Sequence, residues 1–288
     1  MMQATLALLR PHYWMKNLLL FVPVFLAHGI DDMNALIYCA FGVALVSMCA
    51  SATYIFNDVR DLEHDVLHGH KKSRPLPSER VTVRFALVLA VCLLVLSLAL
   101  AYAMNYDFAL LLASYALAGA LYTFAVKKLM LLDAVWLSGL HCFRLMMGGA
   151  IAAVPLTDWL LAFSLFFFFS LALAKRYCEV GLAGLDPLLG RSYRAEDRPL
   201  LLSFGAGAAV TSILVLVLYV TDSGFASRLY SDPRMLWIAI LSIAAWLLHI
   251  WGHAHRTTLT TDPVSFSLRD PFSLALLVVL LASVVIAR

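Results

Sequence analysis

Apolar and polar positions alternate along this chain on the scale of whole helices. Long uncharged stretches recur and are separated by polar links. A transmembrane helix needs roughly 20 apolar residues, and most of the stretches approach that length. The pattern predicts an all-α polytopic membrane bundle of about nine transmembrane helices in a single domain covering residues 1–288. The predicted spans are 16–30, 33–57, 82–103, 107–126, 132–153, 157–178, 199–221, 234–251 and 271–287.

The composition agrees with a membrane protein and excludes other classes. Hydrophobic residues make up 62% of the chain and charged residues 14%, and the mean hydropathy is +0.87, unlike an ordinary soluble domain. The net charge of +3 is small and no basic block lies outside the links between spans, so we exclude nucleic-acid binding. The five cysteines are scattered without a CxxC pair, which indicates neither a zinc cluster nor a disulfide framework.

The basic residues set the expected orientation of the spans. With the N-terminus inside, 17 of the 21 Lys and Arg residues fall in interior segments, three in exterior segments and Arg144 within a span. This asymmetry follows the positive-inside rule. The interior links 58–81, 179–198 and 252–270 are also long and polar, so we expect the functional residues at the cytoplasmic face.

Four side chains with oxygen ligands follow the second predicted span at positions n, n+1, n+4 and n+8. This spacing places them close to one face of a helix. Such ligands suit Mg²⁺, which commonly bridges carboxylates and substrate phosphates. With basic residues directly after them, they predict a site for a metal-chelated phosphate ester; the alternative is a solvated loop whose charges only fix the topology. The ligands are Asn57, Asp58, Asp61 and Asp65, and the nearby basic residues are Arg60, Lys72 and Arg74.

A second polar cluster ends the sixth predicted span, where it comprises Lys175, Arg176, Tyr177 and Glu179. Two cations, a phenol and a carboxylate are suited to phosphate oxygens and to the hydroxyls of a sugar. The alternative is that the cationic side chains snorkel to the membrane interface. We favour a binding function for the cluster as a whole.

Arg144 lies about a dozen residues into the fifth predicted span, where an arginine costs about 2.5–3.5 kcal/mol on insertion scales. We therefore expect its guanidinium to face the bundle interior. Two roles stay open, a phosphate contact and a structural ion pair for which Asp133 is a candidate partner. Lys16, Lys127 and Arg269 lie at the ends of other spans, where each is either a phosphate contact or a residue that fixes topology or caps a helix.

Three histidines, His249, His253 and His255, end the eighth predicted span. The pair at i and i+4 shares one helix face and has the spacing of metal ligands. No third ligand is evident from the sequence. We therefore do not expect a metal at this position.

Three motifs together resemble the UbiA superfamily of intramembrane prenyltransferases. They are Arg10-Pro11-x-x-Trp14-x-Lys16-Asn17, Asn57-Asp58-x-x-Asp61-x-x-x-Asp65 and Lys72-x-Arg74-Pro75. The resemblance implies a UbiA-like bundle of nine helices that uses Mg²⁺ on aspartate-rich motifs. The chain departs from the family pattern at the end of the sixth predicted span. There Lys175-Arg176-Tyr177-x-Glu179 stands where typical members have a second acidic motif. In this respect the chain resembles the branch that contains decaprenyl-phosphate phosphoribosyltransferase.

The resemblance to that branch implies Mg²⁺-dependent transfer of 5-phosphoribose from phosphoribosyl diphosphate to a polyprenyl phosphate. It implies a catalytic role for Asp58 and Asp61, which with Asn57 and Asp65 would hold the metal. The expected substrate contacts are Lys16, Arg60, Lys72, Arg74, Lys127, Arg144, Lys175, Arg176, Tyr177, Glu179 and Arg269. The expected location is the bacterial cytoplasmic membrane, with the active site on the cytoplasmic face and membrane lipids as neighbours.

Two other functions and the oligomeric state stay open at this point. One alternative is prenyl transfer from a prenyl diphosphate to an aromatic or other small acceptor. The other is a transporter, against which stands the placement of charge at one membrane face and not at the midplane. A homo-oligomer is compatible with the sequence, which does not decide it.

Overall fold

The computed structural model describes residues 2–67, 71–184, 191–222, 229–259 and 261–288. Helices form nearly all of this part of the chain, and it contains no strand. In chain order the α-helices are α1 Met2–Leu9, α2 Val22–Leu26, α3 Met33–Arg60, α4 Leu62–Leu67, α5 Val83–Met104, α6 Tyr106–Phe124, α7 Leu132–Ile151, α8 Asp158–Ala183, α9 Arg198–Thr221, α10 Leu236–His255, α11 Pro263–Ser267 and α12 Pro271–Ala287.

Among the described residues, seven helical segments are long and apolar enough to cross a membrane. They contain α3 and α5–α10, and each overlaps a predicted span. The ninth predicted span, 271–287, coincides with α12, which is apolar but has only 17 residues. The all-α membrane bundle is therefore confirmed, with nine as an approximate count of its spans.

The first predicted span, 16–30, is not one α-helix. The chain forms a 3₁₀-helix over Pro11–Phe21 and then the five-residue helix α2. Arg10 enters this segment with a φ of 55°, in the left-handed region. Pro11 starts the 3₁₀-helix and Pro23 lies inside α2, where each proline removes a backbone donor. Pro23 thus lies inside an apolar stretch that hydropathy alone presents as one span, while Arg10 and Pro11 set the start of the 3₁₀-helix that runs into it.

The chain forms two compact units. Unit 1 comprises residues 1–25, 29–124 and 143–155, and unit 2 comprises residues 26–28, 125–142 and 156–288. Helix α7 contributes its first part to unit 2 and its second part to unit 1. The single domain predicted from the sequence stays a prediction beside this division.

In unit 1, a buried apolar cluster fixes the end of α3 at which the acidic motif begins. The cluster joins α1, α3, α5 and the segment that precedes α5, and its members are Ala4, Leu8, Ala52, Ile55, Leu76, Val81, Ala86 and Ala90. Gly148 of α7 packs against the backbone of Leu20, so closely that an added Cβ would lie 2.2 Å from the Leu20 carbonyl oxygen. Burial of these small and apolar side chains sets the positions of α1, α3 and α5.

In unit 2, hydrogen-bonding side chains join α8, α9 and α10. The Trp251 indole donates to Ser170 Oγ at 3.0 Å, and that hydroxyl donates to the Gly205 carbonyl at 2.8 Å. Trp246 donates to Ser267 and to Ser273, at the start of α12. These bonds satisfy polar groups inside apolar helices, where an unpaired group is costly.

Candidate functional site

The acidic motif spans the junction of α3 and α4. Asn57 and Asp58 lie in the last turn of α3, Asp61 caps that helix, and Asp65 lies in α4. The sequence predicted one helix for the motif, whereas the structure divides the motif between two helices. The backbone N–H of Asp61 nevertheless donates to the Asn57 carbonyl at 2.9 Å, and that of Asp65 to the Asp61 carbonyl at 2.8 Å. Because i to i−4 bonds run through the junction, the motif keeps nearly helical spacing.

Two arginines bind two of the motif's carboxylates. Asp58 is buried, with its Oδ1 2.6 Å from Arg10 Nη2 and 3.6 Å from Arg74 Nη1. Arg74 Nη1 also lies 2.6 Å from Asp65 Oδ2, and Asp65 is buried as well. Arg10 was not predicted as a site residue, although it begins the motif at residues 10–17 that resembles the family.

The acidic cluster offers carboxylate oxygens to a cation. Asp58 and Asp65 lie against Arg10 and Arg74, and Asp61 adds a third carboxylate to the motif. With Asn57, the carboxylates form the all-oxygen donor set that Mg²⁺ prefers. Among the described residues, however, these carboxylates are not a group of three with ligand atoms within 4.8 Å of one another. The donor chemistry thus fits Mg²⁺, while Arg10 and Arg74 compete with it for Asp58 and Asp65.

Other predicted contacts have defined places in unit 1. Arg60 donates to the carbonyl oxygens of Thr123 and Phe124 at 2.6 and 3.4 Å, and its guanidinium lies 4.5 Å from the Phe124 ring centre. It therefore stabilises the C-terminus of α6, where a cation is favourable. Lys16 Nζ lies 5.1 Å from the Tyr13 ring centre, and Lys72 is exposed. The substrate roles of these three residues stay predictions.

Arg144 lies inside unit 1, as expected from the energetic cost of exposing a charged side chain to lipid. Its side chain is buried and donates to Asn17 Oδ1 at 2.9 Å and to the Tyr115 hydroxyl at 2.8 Å. Asn17 in turn donates to Ser47 Oγ at 2.9 Å. Arg144 therefore belongs to a polar network that joins α7 to the 3₁₀-helix, α3 and α6. The prediction that it faces the interior is confirmed.

Asp133 is the centre of the second cluster, in unit 2. Its fully buried carboxylate lies 2.9 Å from Arg176 Nε and 2.9 Å from Arg191 Nη1, and it accepts a hydrogen bond from the Tyr193 hydroxyl. Arg176 Nη1 also lies 2.5 Å from Glu179 Oε2. From its sequence position, Asp133 was only a candidate partner for Arg144. Arg191 and Tyr193 were not predicted, because they lie about 60 residues from Asp133 in sequence.

The remaining members of the second predicted motif contact neighbouring side chains, and some of them stay partly exposed. Lys175 Nζ lies 3.8 Å from Glu179 Oε1, and both side chains are about one third exposed. The Tyr177 hydroxyl lies 3.1 Å from His255 Nδ1, while the Arg198 guanidinium covers the Tyr177 ring at 4.3 Å. Lys175 is therefore the motif's accessible cation, because Arg176 is buried in its ion pairs.

The charges of the second cluster favour an anion. Its cations are Lys175, Arg176, Arg191 and Arg198, and its carboxylates are Asp133, Glu179 and Asp262, the last of which interacts with Lys175, so one positive charge is in excess. Burial raises the pKa of Tyr193, and the hydrogen bond to Asp133 and the charge of that residue raise it further. Tyr193 therefore keeps its proton and stays a donor to Asp133. Of the other predicted contacts, Lys127 is half-buried and Arg269 is exposed.

These features are those of a known family of membrane enzymes. A profile of the UbiA prenyltransferase family matches residues 18–277. The chain belongs to this family. It is thus an integral membrane protein of the UbiA prenyltransferase type, and the resemblance drawn from its motifs is confirmed.

Several relatives and solved structures are similar to the chain. The uncharacterized protein y4nM of Sinorhizobium fredii is 36% identical over 92% of this chain, which spans only about half (52%) of that protein. Nodulation protein NoeC of Azorhizobium caulinodans is 30% identical over 92% of this chain and 87% of its own length. Decaprenyl-phosphate phosphoribosyltransferase of Corynebacterium glutamicum is 31% identical, covering 82% of this chain and 74% of that protein.

The fold has been observed in a solved UbiA homolog. The structure of a homolog from Archaeoglobus fulgidus, bound to DMAPP and Mg²⁺, superposes with a TM-score of 0.72. It covers 98% of this chain and 99% of its own, at 17% identity. At this identity the likeness establishes the UbiA fold and leaves the substrates of this chain to other arguments.

Proposed function

We propose that this UbiA-family protein transfers 5-phosphoribose from phosphoribosyl diphosphate to a polyprenyl phosphate, with Mg²⁺ as cofactor. The observation that carries the proposal is the excess positive charge of the unit 2 cluster, where a second metal-binding acidic motif would carry negative charge. The 31% identical Corynebacterium glutamicum protein named decaprenyl-phosphate phosphoribosyltransferase supports the same assignment. The similarity to y4nM and NoeC does not distinguish between substrates.

The acidic cluster is assigned to the diphosphate. Asp58 and Asp61, together with Asn57 and Asp65, would hold Mg²⁺, and the homolog from Archaeoglobus fulgidus offers a precedent for this ion. When bound, the ion supplies positive charge that stabilises a leaving diphosphate. Arg74 touches both Asp58 and Asp65, so it is placed to exchange a carboxylate for a phosphate oxygen when substrate enters.

The unit 2 cluster is assigned to the phosphate and ribose of the donor. Lys175 is accessible and offers a point charge to a phosphate. Arg176 and Glu179 orient each other, Glu179 also pairs with Lys175, and Tyr177 offers a hydroxyl. These side chains bind and orient the donor, and none is required to take up a proton.

The proposed reaction breaks one bond and forms one. The bond between ribose C1 and the diphosphate oxygen breaks, and diphosphate leaves with the electron pair. An oxygen of the polyprenyl phosphate forms the new bond to C1. This nucleophile is already anionic, so no strong general base is needed. Lys16, Lys127 and Arg144 are the candidates for attracting the lipid phosphate, and the excess of basic residues in the predicted interior segments supports a reaction on the cytoplasmic face.

The alternative is prenyl transfer from a prenyl diphosphate to an aromatic or other small acceptor. This activity would use the same acidic cluster, but the cations of unit 2 would oppose a second metal ion. At an effective dielectric constant of 20, two unit charges 4 Å apart repel by about 4 kcal/mol, and a divalent ion feels about twice that before screening. The phosphoribosyl donor is therefore favoured over the prenyl donor.

One experiment separates the two functions. The purified protein would receive Mg²⁺, labelled phosphoribosyl diphosphate and a panel of polyprenyl phosphates, and in parallel a prenyl diphosphate with 4-hydroxybenzoate. We expect labelled lipid in the first reaction, none after EDTA, and no product in the second. Prenylation of the aromatic acceptor without transfer from phosphoribosyl diphosphate would establish the alternative.

A further inference from the structure

Two histidines of α10 and the residue that caps α12 form a cluster with no part in the proposed transfer. His249 and His253 lie four residues apart on α10, and Asp270 precedes α12. Each residue offers one ligand atom, and these atoms all lie within 4.8 Å of one another. His249 Nε2 lies 2.9 Å from Asp270 Oδ2. The expectation that the histidines lack a third ligand was therefore wrong, because Asp270 is brought to them by the fold.

The neighbours of the cluster orient its ligands. Thr258 Oγ1 lies 2.8 Å from His253 Nδ1, which leaves Nε2 of that ring for another partner. The backbone N–H of Ser273 donates to Asp270 Oδ2 at 2.7 Å and fixes the carboxylate as a helix cap. A hydrogen-bonding partner on the second ring nitrogen is the usual companion of a metal-binding histidine.

Two aromatic rings restrict the imidazoles. The Phe272 ring centre lies 4.8 Å from that of His249, and the Phe266 ring centre lies 4.7 Å from that of His253. The two imidazole rings themselves are 4.6 Å apart and nearly perpendicular. Apolar rings around polar ligands limit the rotamers and reduce access of water.

We propose that His249, His253 and Asp270 form a binding site for a divalent transition-metal ion, with Zn²⁺ as the best fit. Two imidazoles and one carboxylate suit Zn²⁺, whereas Mg²⁺ prefers oxygen ligands alone. Zinc bonds of about 2.0–2.1 Å place tetrahedral ligands roughly 3.3 Å apart, so the ligand atoms need to close by at most about 1.5 Å. The site would join the end of α10 to the start of α12, and it leaves one coordination position open.

The test measures metal binding directly. Full-length protein, purified in detergent without a polyhistidine tag and stripped with EDTA, would be titrated with Zn²⁺ against a chromophoric chelator in excess Mg²⁺. Stoichiometry would be read by elemental analysis. We expect one equivalent of Zn²⁺ that Mg²⁺ does not displace. Less than half an equivalent, or displacement by Mg²⁺, would overturn the proposal.

Three variants and a matched control locate the ion. His253→Gln removes a ligand, and Asp270→Asn removes a charge but keeps an acceptor that caps α12. Thr258→Val should weaken Zn²⁺ binding by about 10–100-fold, because it removes the hydroxyl that orients the His253 ring, and the two ligand variants should weaken it at least as much. His255→Gln, in the same helix end, should leave Zn²⁺ affinity unchanged. Equal affinity in the wild type and both ligand variants, or an equal loss in His255→Gln, would refute the site.

Zinc should also stabilise only the proteins that retain the site. An ion that binds the folded state raises the melting temperature, and saturation at 100 times Kd corresponds to about 2.7 kcal/mol. We expect this increase for the wild type and His255→Gln, and none for His253→Gln. The melting temperature without metal shows whether each variant is folded. An increase of the same size in folded His253→Gln would contradict binding by these residues.

Discussion

Asp58 and Asp61 belong to the same motif but differ in how much they contribute to the stability of the fold. Asp58 is buried against Arg10, and removing one charge of a buried pair costs about 3–5 kcal/mol. Asp61 is only half-buried at the end of α3. A substitution of Asp58 can therefore reduce activity by destabilising the fold as well as by removing a metal ligand. A substitution of Asp61 tests the role in catalysis more directly.

Asp61→Asn should reduce kcat/KM by at least about 100-fold, because charge stabilisation by a bound metal is worth several kcal/mol. Folding should be preserved, as judged by elution in detergent and melting temperature. Glu63→Gln is the matched control, since Glu63 is an exposed acid two residues away. Mg²⁺-dependent transfer by Asp61→Asn at the wild-type rate would rule out Asp61 as a metal ligand.

Lys175 should govern affinity for the soluble donor. Lys175→Met removes the accessible cation while Glu179 keeps its 2.5 Å partner, Arg176, so the fold should survive. Loss of one charge-assisted hydrogen bond costs about 1.5–3 kcal/mol, which raises KM for phosphoribosyl diphosphate roughly 10- to 150-fold. Arg194→Met, at an exposed cation of the same unit, should have little effect. If only the KM for the lipid rises, the two substrates have been assigned the wrong way round.

The parts of the candidate site that were predictable from the sequence are those whose residues lie close together in the chain. The spacing of Asn57, Asp58, Asp61 and Asp65 is visible in the sequence because all four lie within three turns. The contacts of Arg10 with Asp58 and of Arg191 with Asp133 join residues 48 and 58 positions apart. Such pairs depend on helix packing, which periodicity does not encode. The third ligand beside His249 and His253 was missed for the same reason.

At the scale of elements, hydropathy predicted helices well where apolar runs are uninterrupted. The predicted span 33–57 became Met33–Arg60, and 271–287 became Pro271–Ala287. It failed at 16–30, because a 3₁₀-helix that begins at Pro11 continues to Phe21 and Pro23 lies in the short helix α2 that follows. The resulting 3₁₀-helix brings the backbone of Leu20 against Gly148 of α7. This contact has a measurable consequence for stability.

Gly148→Ala should destabilise the protein, because its Cβ would lie 2.2 Å from the Leu20 carbonyl oxygen. Backbone cannot move aside as a side chain can, so the cost should reach or exceed the 1–3 kcal/mol typical of overpacking. Gly139→Ala is the control on the same helix. Nothing lies within 4 Å of its Cβ, and alanine favours helix by up to about 1 kcal/mol. Equal melting temperatures for the two variants in detergent would contradict the close approach of Leu20.

At the scale of the whole molecule, the predicted topology puts both clusters on the same side of the membrane. Interior segments hold 17 of the 21 basic residues when the N-terminus is inside. The acidic cluster lies at the end of α3 and in α4, and the cationic cluster lies in the last turns of α8 and the link after it. Under the predicted orientation both clusters are cytoplasmic, where a soluble phosphoribosyl donor is available. The orientation is therefore a condition for the proposed function and can be tested without any assay of activity.

Two cysteine substitutions should report opposite sides of the membrane. Glu63 is exposed after α3 on the predicted interior, and Ser231 is exposed before α10 on the predicted exterior. A membrane-impermeant maleimide added to intact spheroplasts should label Ser231→Cys but not Glu63→Cys, and permeabilised membranes should show both. The unmodified protein gives the background, since Cys39, Cys49 and Cys178 are buried while Cys92 and Cys142 are less protected. Labelling of Glu63→Cys from outside would show that the topology is inverted. The acidic cluster would then lie outside the compartment that holds its proposed donor.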